Sequence, residues 1–172
     1  IMIDENLFPL LKAQVDGKEL IIGPKKIKEN SRNGNSYNLQ PTKFKVITNS
    51  RDIKELNVVS SGDFIIAIPL NIGKLEINVA GSGNILLEKK VEGNKLEINL
   101  ASSGSVVASN IDLAGIECSL AGSGYIQIAG KADRAEYNLA ASGNIKAYEC
   151  VTGKTECYIA GSGNIQTHTR NE

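Results

Sequence analysis

The stretch Lys74–Leu87, KLEINVAGSGNILL, decides the fold. Leu75, Ile77 and Val79 alternate with Glu76 and Asn78, and the alternation resumes at Ile85 and Leu87 after Ala80-Gly81-Ser82-Gly83-Asn84. Period-two alternation over five to seven residues is the pattern of a half-buried strand, and nothing in the block has a helical period. Glycine adopts backbone angles that other residues resist, and asparagine tolerates them, so the run of small residues predicts a corner between two strands.

The block recurs. Aligned on its second glycine, the copies read KELNVVSSGDFII (54–66), LEINVAGSGNILL (75–87), LEINLASSGSVVA (96–108), IECSLAGSGYIQI (116–128), AEYNLAASGNIKA (135–147) and TECYIAGSGNIQT (155–167). The aligning glycines are Gly62, Gly83, Gly104, Gly124, Gly143 and Gly163, at intervals of 21, 21, 20, 19 and 20 residues. Such a period is the signature of a repeat architecture. Strand, corner, strand and a variable loop (Glu88–Gly93, Ser109–Gly115, Ala129–Asp133) make one coil, with a perimeter of roughly 60 Å at ~3.3 Å per residue.

One coil cannot bury its apolar side, but stacked coils can. Stacking in parallel aligns three inner columns. The first is Leu56, Ile77, Ile98, Cys118, Tyr137 and Cys157, and the second Val58, Val79, Leu100, Leu120, Leu139 and Ile159. The third is Phe64, Ile85, Val106, Ile126, Ile145 and Ile165. Antiparallel hairpins would not bring like residues together. The expected fold is therefore all-β, a single-stranded right-handed parallel β-helix (β-solenoid) of about six coils, the hand that parallel crossovers take.

The 172 residues carry nineteen acidic and nineteen basic side chains, which gives no electrostatic case for nucleic acid or an anionic membrane. Tryptophan is absent and aromatics make up 5%, so stacking platforms are scarce. No run approaches eighteen apolar residues, so no transmembrane segment is expected. The chain opens at Ile1-Met2-Ile3, which fits the removal of an export signal.

Residues 1–40 lie outside the repeat. Leu7–Leu11 and Val15–Ile22 are short apolar segments, and DGKELIIG reads as a hairpin-like turn into a strand. Residues 25–40 read as an exposed polar loop, whose cluster Lys25, Lys26, Lys28 and Arg32 is read as solvated rather than as a ligand patch. One domain overall is expected, with N-terminal strands and polar loop at 1–40 covering the top of the stack and the β-helix at 41–172. Phe44, Val46 and Ile53 would form an irregular first coil. Only His168–Glu172 follow the last copy, so either the final strands present unpaired backbone groups that invite self-association or the polar tail folds under the last coil.

Strands punctuated by [AV]-[GS]-S-G-[ND]-[IV]-x-[ILA] about every twenty residues resemble the bacterial putative auto-transporter adhesin family, head GIN domain. The resemblance covers about 41–167 and extends toward the start through VDGKELIIG. It implies an exported, envelope-associated β-helical protein of Gram-negative bacteria, periplasmic or at the cell surface. The family supplies no catalytic residues to carry over. Two departures are the short chain and Ser105 and Tyr125, which replace the Asn or Asp after the glycine.

Among outer positions, a glutamate recurs in every copy: Glu55, Glu76, Glu97, Glu117, Glu136 and Glu156. Carboxylates ~4.8 Å apart repel by roughly 1 kcal/mol per neighbouring pair even in water. Lys74, Lys95, Arg134 and Lys154 stand two residues earlier, so a mixed ion-pair ladder is expected. A divalent-cation strip along Glu76, Glu97, Glu117 and Glu136 is the weaker reading, because the adjacent lysines oppose it. Asn57, Asn78, Asn99 and Asn138 form an amide column interrupted by Ser119 and Tyr158. The corner serines (Ser61, Ser82, Ser103, Ser123, Ser142, Ser162) read as turn residues, since the one histidine, His168, lies in the tail and no base accompanies them. Cys118 and Cys157 fall ~10 Å apart, too far for a disulfide, and Cys150 has no evident partner, so all three thiols read as buried packing.

No catalytic, cofactor or metal residue is expected, and the chain reads as no enzyme. The leading expectation is an adhesin-like binding protein that touches a surface protein or glycan through Glu76, Asn78, Glu97, Asn99, Glu136 and Asn138 or through the loops. End-to-end assembly into a homo-oligomer through the C-terminal coil is the alternative. A polysaccharide-cleaving enzyme ranks below both, because the loops are short and no irregular acid cluster breaks the columns.

Overall fold

A computed structural model of the chain describes residues 1–16, 19–24, 44–59 and 61–170. The basic cluster expected at Lys25, Lys26, Lys28 and Arg32 lies outside the described residues. The chain divides into two compact units, Ile1–Lys45 and Val46–Glu172.

In the first unit, β1 (Met2–Ile3) pairs antiparallel with the start of β4 (Phe44–Thr48), Ile3 opposite Phe44. A single 3-10 turn at Phe8–Leu10 leads into β2 (Leu11–Asp16), which pairs antiparallel with β3 (Glu19–Pro24) from Leu11↔Pro24 to Asp16↔Glu19. This is the hairpin expected from DGKELIIG.

The second unit is a parallel β-solenoid of about six turns. Its strands are β5 (Glu55–Val58), β6 (Asp63–Ile66), β7 (Leu70–Val79), β8 (Asn84–Leu87), β9 (Val91–Leu100), β10 (Ser105–Leu120), β11 (Tyr125–Leu139), β12 (Asn144–Ile159) and β13 (Asn164–Thr169). Pairing follows the repeat: Leu56↔Ile77↔Ile98↔Cys118↔Tyr137↔Cys157 lie in one parallel register. Phe64↔Ile85↔Val106↔Ile126↔Ile145↔Ile165 lie in another. The inner columns are the expected ones, and from the second coil to the fifth their members are buried.

Three features depart from the sequence reading. First, the segments expected as variable loops contain a third ladder. Leu70, Val91, Ile111, Gly130 and Cys150 are in register, followed by Ile72, Gly93, Leu113, Ala132 and Thr152, so β10, β11 and β12 run on around the coil. Three-residue strands interrupted by glycine show too little alternation to be recognised in sequence, and the neighbouring coils supply the pairing.

Second, the corner glycines serve close packing, not unusual dihedrals. Positive φ occurs, among the described residues, only at Gly93 (128°) and Gly130 (127°), in the third ladder. A Cβ on Gly124 would stand 2.5 Å from the Gly104 carbonyl oxygen, and one on Gly143 would stand 2.6 Å from that of Gly124. At the aligning glycine the corners stack backbone on backbone, so only a residue without a side chain fits there, whereas two positions earlier Ser102 and Ala141 are accommodated.

Third, the last coil is open. Cys157, expected among the buried thiols, is exposed, and Ile159 is 53% exposed although its counterpart Leu139 is 2% exposed. The tail passes under only part of that coil, with His168 opposite Val151, Thr169 opposite Thr152 and Thr169 Oγ1 donating to Thr155 Oγ1 at 2.9 Å, and leaves the 157–159 segment exposed.

The fifth coil shows how the repeat tolerates a large residue. Tyr137 replaces an aliphatic residue in the inner column and is fully buried. In the same strand, Gly130, Ala132 and Ala135 stand opposite Ile111, Leu113 and Ile116 of the coil before. The volume added at one position is removed at three others, as a close-packed interior requires.

Candidate functional site

Two outer surfaces carry the polar chemistry. The first lies on the ladder that precedes each corner, where Glu76, Glu97, Glu117, Glu136 and Glu156 fall in one register and Asn57, Asn78 and Asn99 in another. Asn78 Nδ2 donates to Asn57 Oδ1 at 3.0 Å, and Asn99 Nδ2 to Asn78 Oδ1 at 2.9 Å. Ser119 breaks the run, and Asn138 keeps only the bond to the glutamate two residues earlier, Glu136 Oε1 at 2.9 Å, which Asn57 and Asn78 also make to Glu55 and Glu76.

The lysines bridge coils. Lys74 Nζ lies 3.0 Å from both Glu76 and Glu97, and Lys95 Nζ lies 3.5 Å from Glu97 and 2.7 Å from Glu117. The Asn78 amide, then Lys74, hold the Glu76 carboxyl below the usual carboxylate range, and Lys74 does the same for Glu97. Lys74 and Lys95 are raised in return, by Glu76 and Glu117 respectively. The expected candidate face, Glu76, Asn78, Glu97, Asn99, Glu136 and Asn138, is thus one contiguous ladder. Lysines occupy the carboxylates Glu76, Glu97 and Glu117 of the candidate cation strip, and Glu136 takes its hydrogen bond from Asn138. Among the described residues no group of three or more His, Cys, Asp or Glu is placed to hold a metal ion.

The second surface lies on the ladder that follows each corner, and sequence reasoning missed it. Its outward column changes character down the stack, from Ile65, Leu86 and Val107 to Gln127, Lys146 and Gln166. Tyr125 Oη donates to Gln127 Oε1 at 2.8 Å, and Lys146 Nζ sits 5.4 Å from the centroid of the Tyr125 ring. Below, the register shifts between Ala147 and Val151 because β12 carries three residues where β13 runs straight from Thr167 to His168. Such a bulge re-aims side chains. Here Tyr148, 65% exposed, stacks on His168 with centroids 5.6 Å apart and planes at 22°. An open depression of about 700 Å³ results, edged by Gln127, Lys146, Tyr148, Glu149, Gln166 and Thr167. The sequence signal was available: residues at equivalent repeat positions exchange aliphatic for amide and ammonium groups while tyrosines enter beside them.

The interior holds no comparable chemistry. Burial pushes the Cys118 thiol up and Cys150 up to about 11, so neither is a ready nucleophile. The Tyr137 hydroxyl is buried without a hydrogen-bond partner. The Cys150 thiol is its nearest hydrogen-bonding neighbour, close enough to interact but outside regular hydrogen-bond geometry.

Comparison with known proteins agrees with the repeat. No functionally curated protein matches the chain. A crystal structure of a putative lipid binding protein from Parabacteroides distasonis is 40% identical, with a TM-score of 0.79, over 98% of this chain and 82% of that one. The family model described as putative auto-transporter adhesin, head GIN domain, matches residues 1–92 and again 76–172. With matches across both halves and a repeat that carries the family's corner motif, the chain belongs to the putative auto-transporter adhesin family, head GIN domain.

Proposed function

We propose that the chain is a non-enzymatic, adhesin-type binding protein of the cell envelope, presented outside the cytoplasm, whose solenoid holds polar side chains in fixed rows for a surface protein or glycan. The observation that carries this reading is the rigidity of the rows. Filled inner columns lie beneath them, and amide-to-amide bonds at 2.9–3.0 Å link successive coils. Contact with a partner then costs little side-chain entropy, which favours affinity from a modest area. Family membership supports the adhesin type. The solved relative is described as a putative lipid binding protein, but stacked aliphatic side chains fill the interior of this solenoid, so an acyl chain would have to bind outside it.

The test is retention of envelope glycans and surface proteins on the immobilised chain, compared with the double variant Glu76→Lys/Glu97→Lys. Charge reversal on this face is expected to weaken binding about tenfold if the partner touches it. Partners retained equally by both forms would place the contact elsewhere, and no saturable partner at all would end the reading.

The exposed Tyr158 and Ile159 of the last coil favour a second reading, end-to-end assembly. Light scattering over a concentration series, repeated on Ile159→Lys, checks it. A mass fixed at one chain rules it out.

A further inference from the structure

We infer that the depression between β11, β12 and β13 is a saccharide-binding site, in which a pyranose ring lies against Tyr148 and its hydroxyls meet Gln127, Lys146, Glu149 and Gln166. This rests on the binding-protein reading above and names a ligand class and a place for it.

The chemistry of the lining selects the ligand. Gln127, Lys146 and Gln166 project from consecutive strands, in direct register and so ~4.8 Å apart. Amides donate and accept, the ammonium donates and the Glu149 carboxylate accepts. Groups that do both, as sugar hydroxyls do, satisfy such a mixture, whereas a phosphodiester would face one cation and one carboxylate. His168 occupies one side of the Tyr148 ring and holds its orientation, which leaves the other to a flat, partly apolar partner. Tyrosine supplies contact area at low entropic cost, because only two torsions need fixing. The Tyr125 ring contacts the Lys146 ammonium, and Lys146 has no ion-pair partner among the described residues. The volume, about 700 Å³, is that of a small-ligand site, and its openness to solvent suits the exposed end of a chain of sugars.

Placement is also selective. The chain has five tyrosines, one histidine and no tryptophan; Tyr148 lines the depression with His168 stacked on it, and Tyr125 contacts its lining residues Gln127 and Lys146. In the upper half of the same ladder this column holds Ile65, Leu86 and Val107 instead, whose side chains form no hydrogen bonds.

The absence of tryptophan makes tyrosine fluorescence a direct reporter. The full chain is titrated with chitotetraose, cellotetraose, maltotetraose and trigalacturonate, and applied to a broad glycan array. At least one saccharide is expected to bind saturably with a Kd of about 1 mM or tighter. Tyr148→Ala, and separately Gln127→Ala/Gln166→Ala, should each weaken it at least tenfold with circular dichroism unchanged. Tyr158→Ala, on the other surface, should leave it as it is. Binding that survives Tyr148→Ala overturns the site while leaving a saccharide-binding protein. No array signal above the Tyr148→Ala level, together with partner retention lost in Glu76→Lys/Glu97→Lys, overturns the site while the binding reading stands. Loss of both removes the two together.

Discussion

Replacing Tyr137 by Phe should make this protein more stable, against the usual sign of a core substitution. The ring is fully buried and its hydroxyl has no hydrogen-bond partner. A buried unpaired hydroxyl costs about 1–3 kcal/mol relative to water, and burial pushes the phenol's ionisation up for the same reason, that the surroundings solvate it poorly. Phenylalanine removes the orphan and keeps the ring that fills the space left by Gly130, Ala132 and Ala135. Against this stands a void of one oxygen atom, worth less than about 1 kcal/mol. The net expectation is about 1–2 kcal/mol of added stability, or roughly 2–4 °C in Tm for each kcal/mol in a chain of this size. Urea denaturation followed by circular dichroism measures it, with Tyr158→Phe as the exposed control, whose hydroxyl donates to Glu156 at 3.2 Å. Destabilisation of Tyr137→Phe by 1 kcal/mol or more would refute the reasoning and mean that the hydroxyl is bonded, with the Cys150 thiol the first suspect.

Three further outcomes follow from the same packing. Gly143→Ala places a methyl 2.6 Å from both the Gly124 carbonyl oxygen and Leu120 Cδ2, so it should cost about 3 kcal/mol, whereas Gly73→Ala, with nothing within 4 Å, should fall within about 0.5 kcal/mol of the parent in the same denaturation assay. Ellman titration of the native protein should label one thiol quickly, lost in Cys157→Ser, and all three after unfolding; rapid labelling of two would show that Cys118 or Cys150 is not enclosed. The folded carboxyls of Glu76, Glu97 and Glu156 lie below their ordinary value of 4.5, so the stabilisation they give is present above that pH and is lost as pH falls through the depressed folded values. Tm should therefore decline below about pH 4.5, and less so in high salt. A Tm independent of pH down to 3 would mean that the ladder contributes nothing.

The solenoid was legible in the sequence because its information is local and repeated. Alternation in LEINV names the strand, the small run AGSG names the corner, and recurrence at 19–21 residues names the stacking partner, so inner columns and outer Glu and Asn rows could be written down residue by residue. Whatever breaks the period could not. The third ladder is made of segments too short to show alternation, and only the strands above and below make them strands. Cys157 and Ile159 have the same place in the repeat as buried residues, but burial depends on a neighbouring coil that covers Tyr137 and Leu139 and leaves the 157–159 segment open. The corner glycines were expected for their dihedral freedom, and the structure shows that stacked carbonyls need the space. The depression at Tyr148 joins residues from three strands through a bulge whose size no spacing rule supplies. Sequence by itself determined which side chains share a column, because register follows from period. Tertiary structure alone decided which columns are covered and where side chains from different coils converge, because both depend on what lies one coil away rather than on the residue itself.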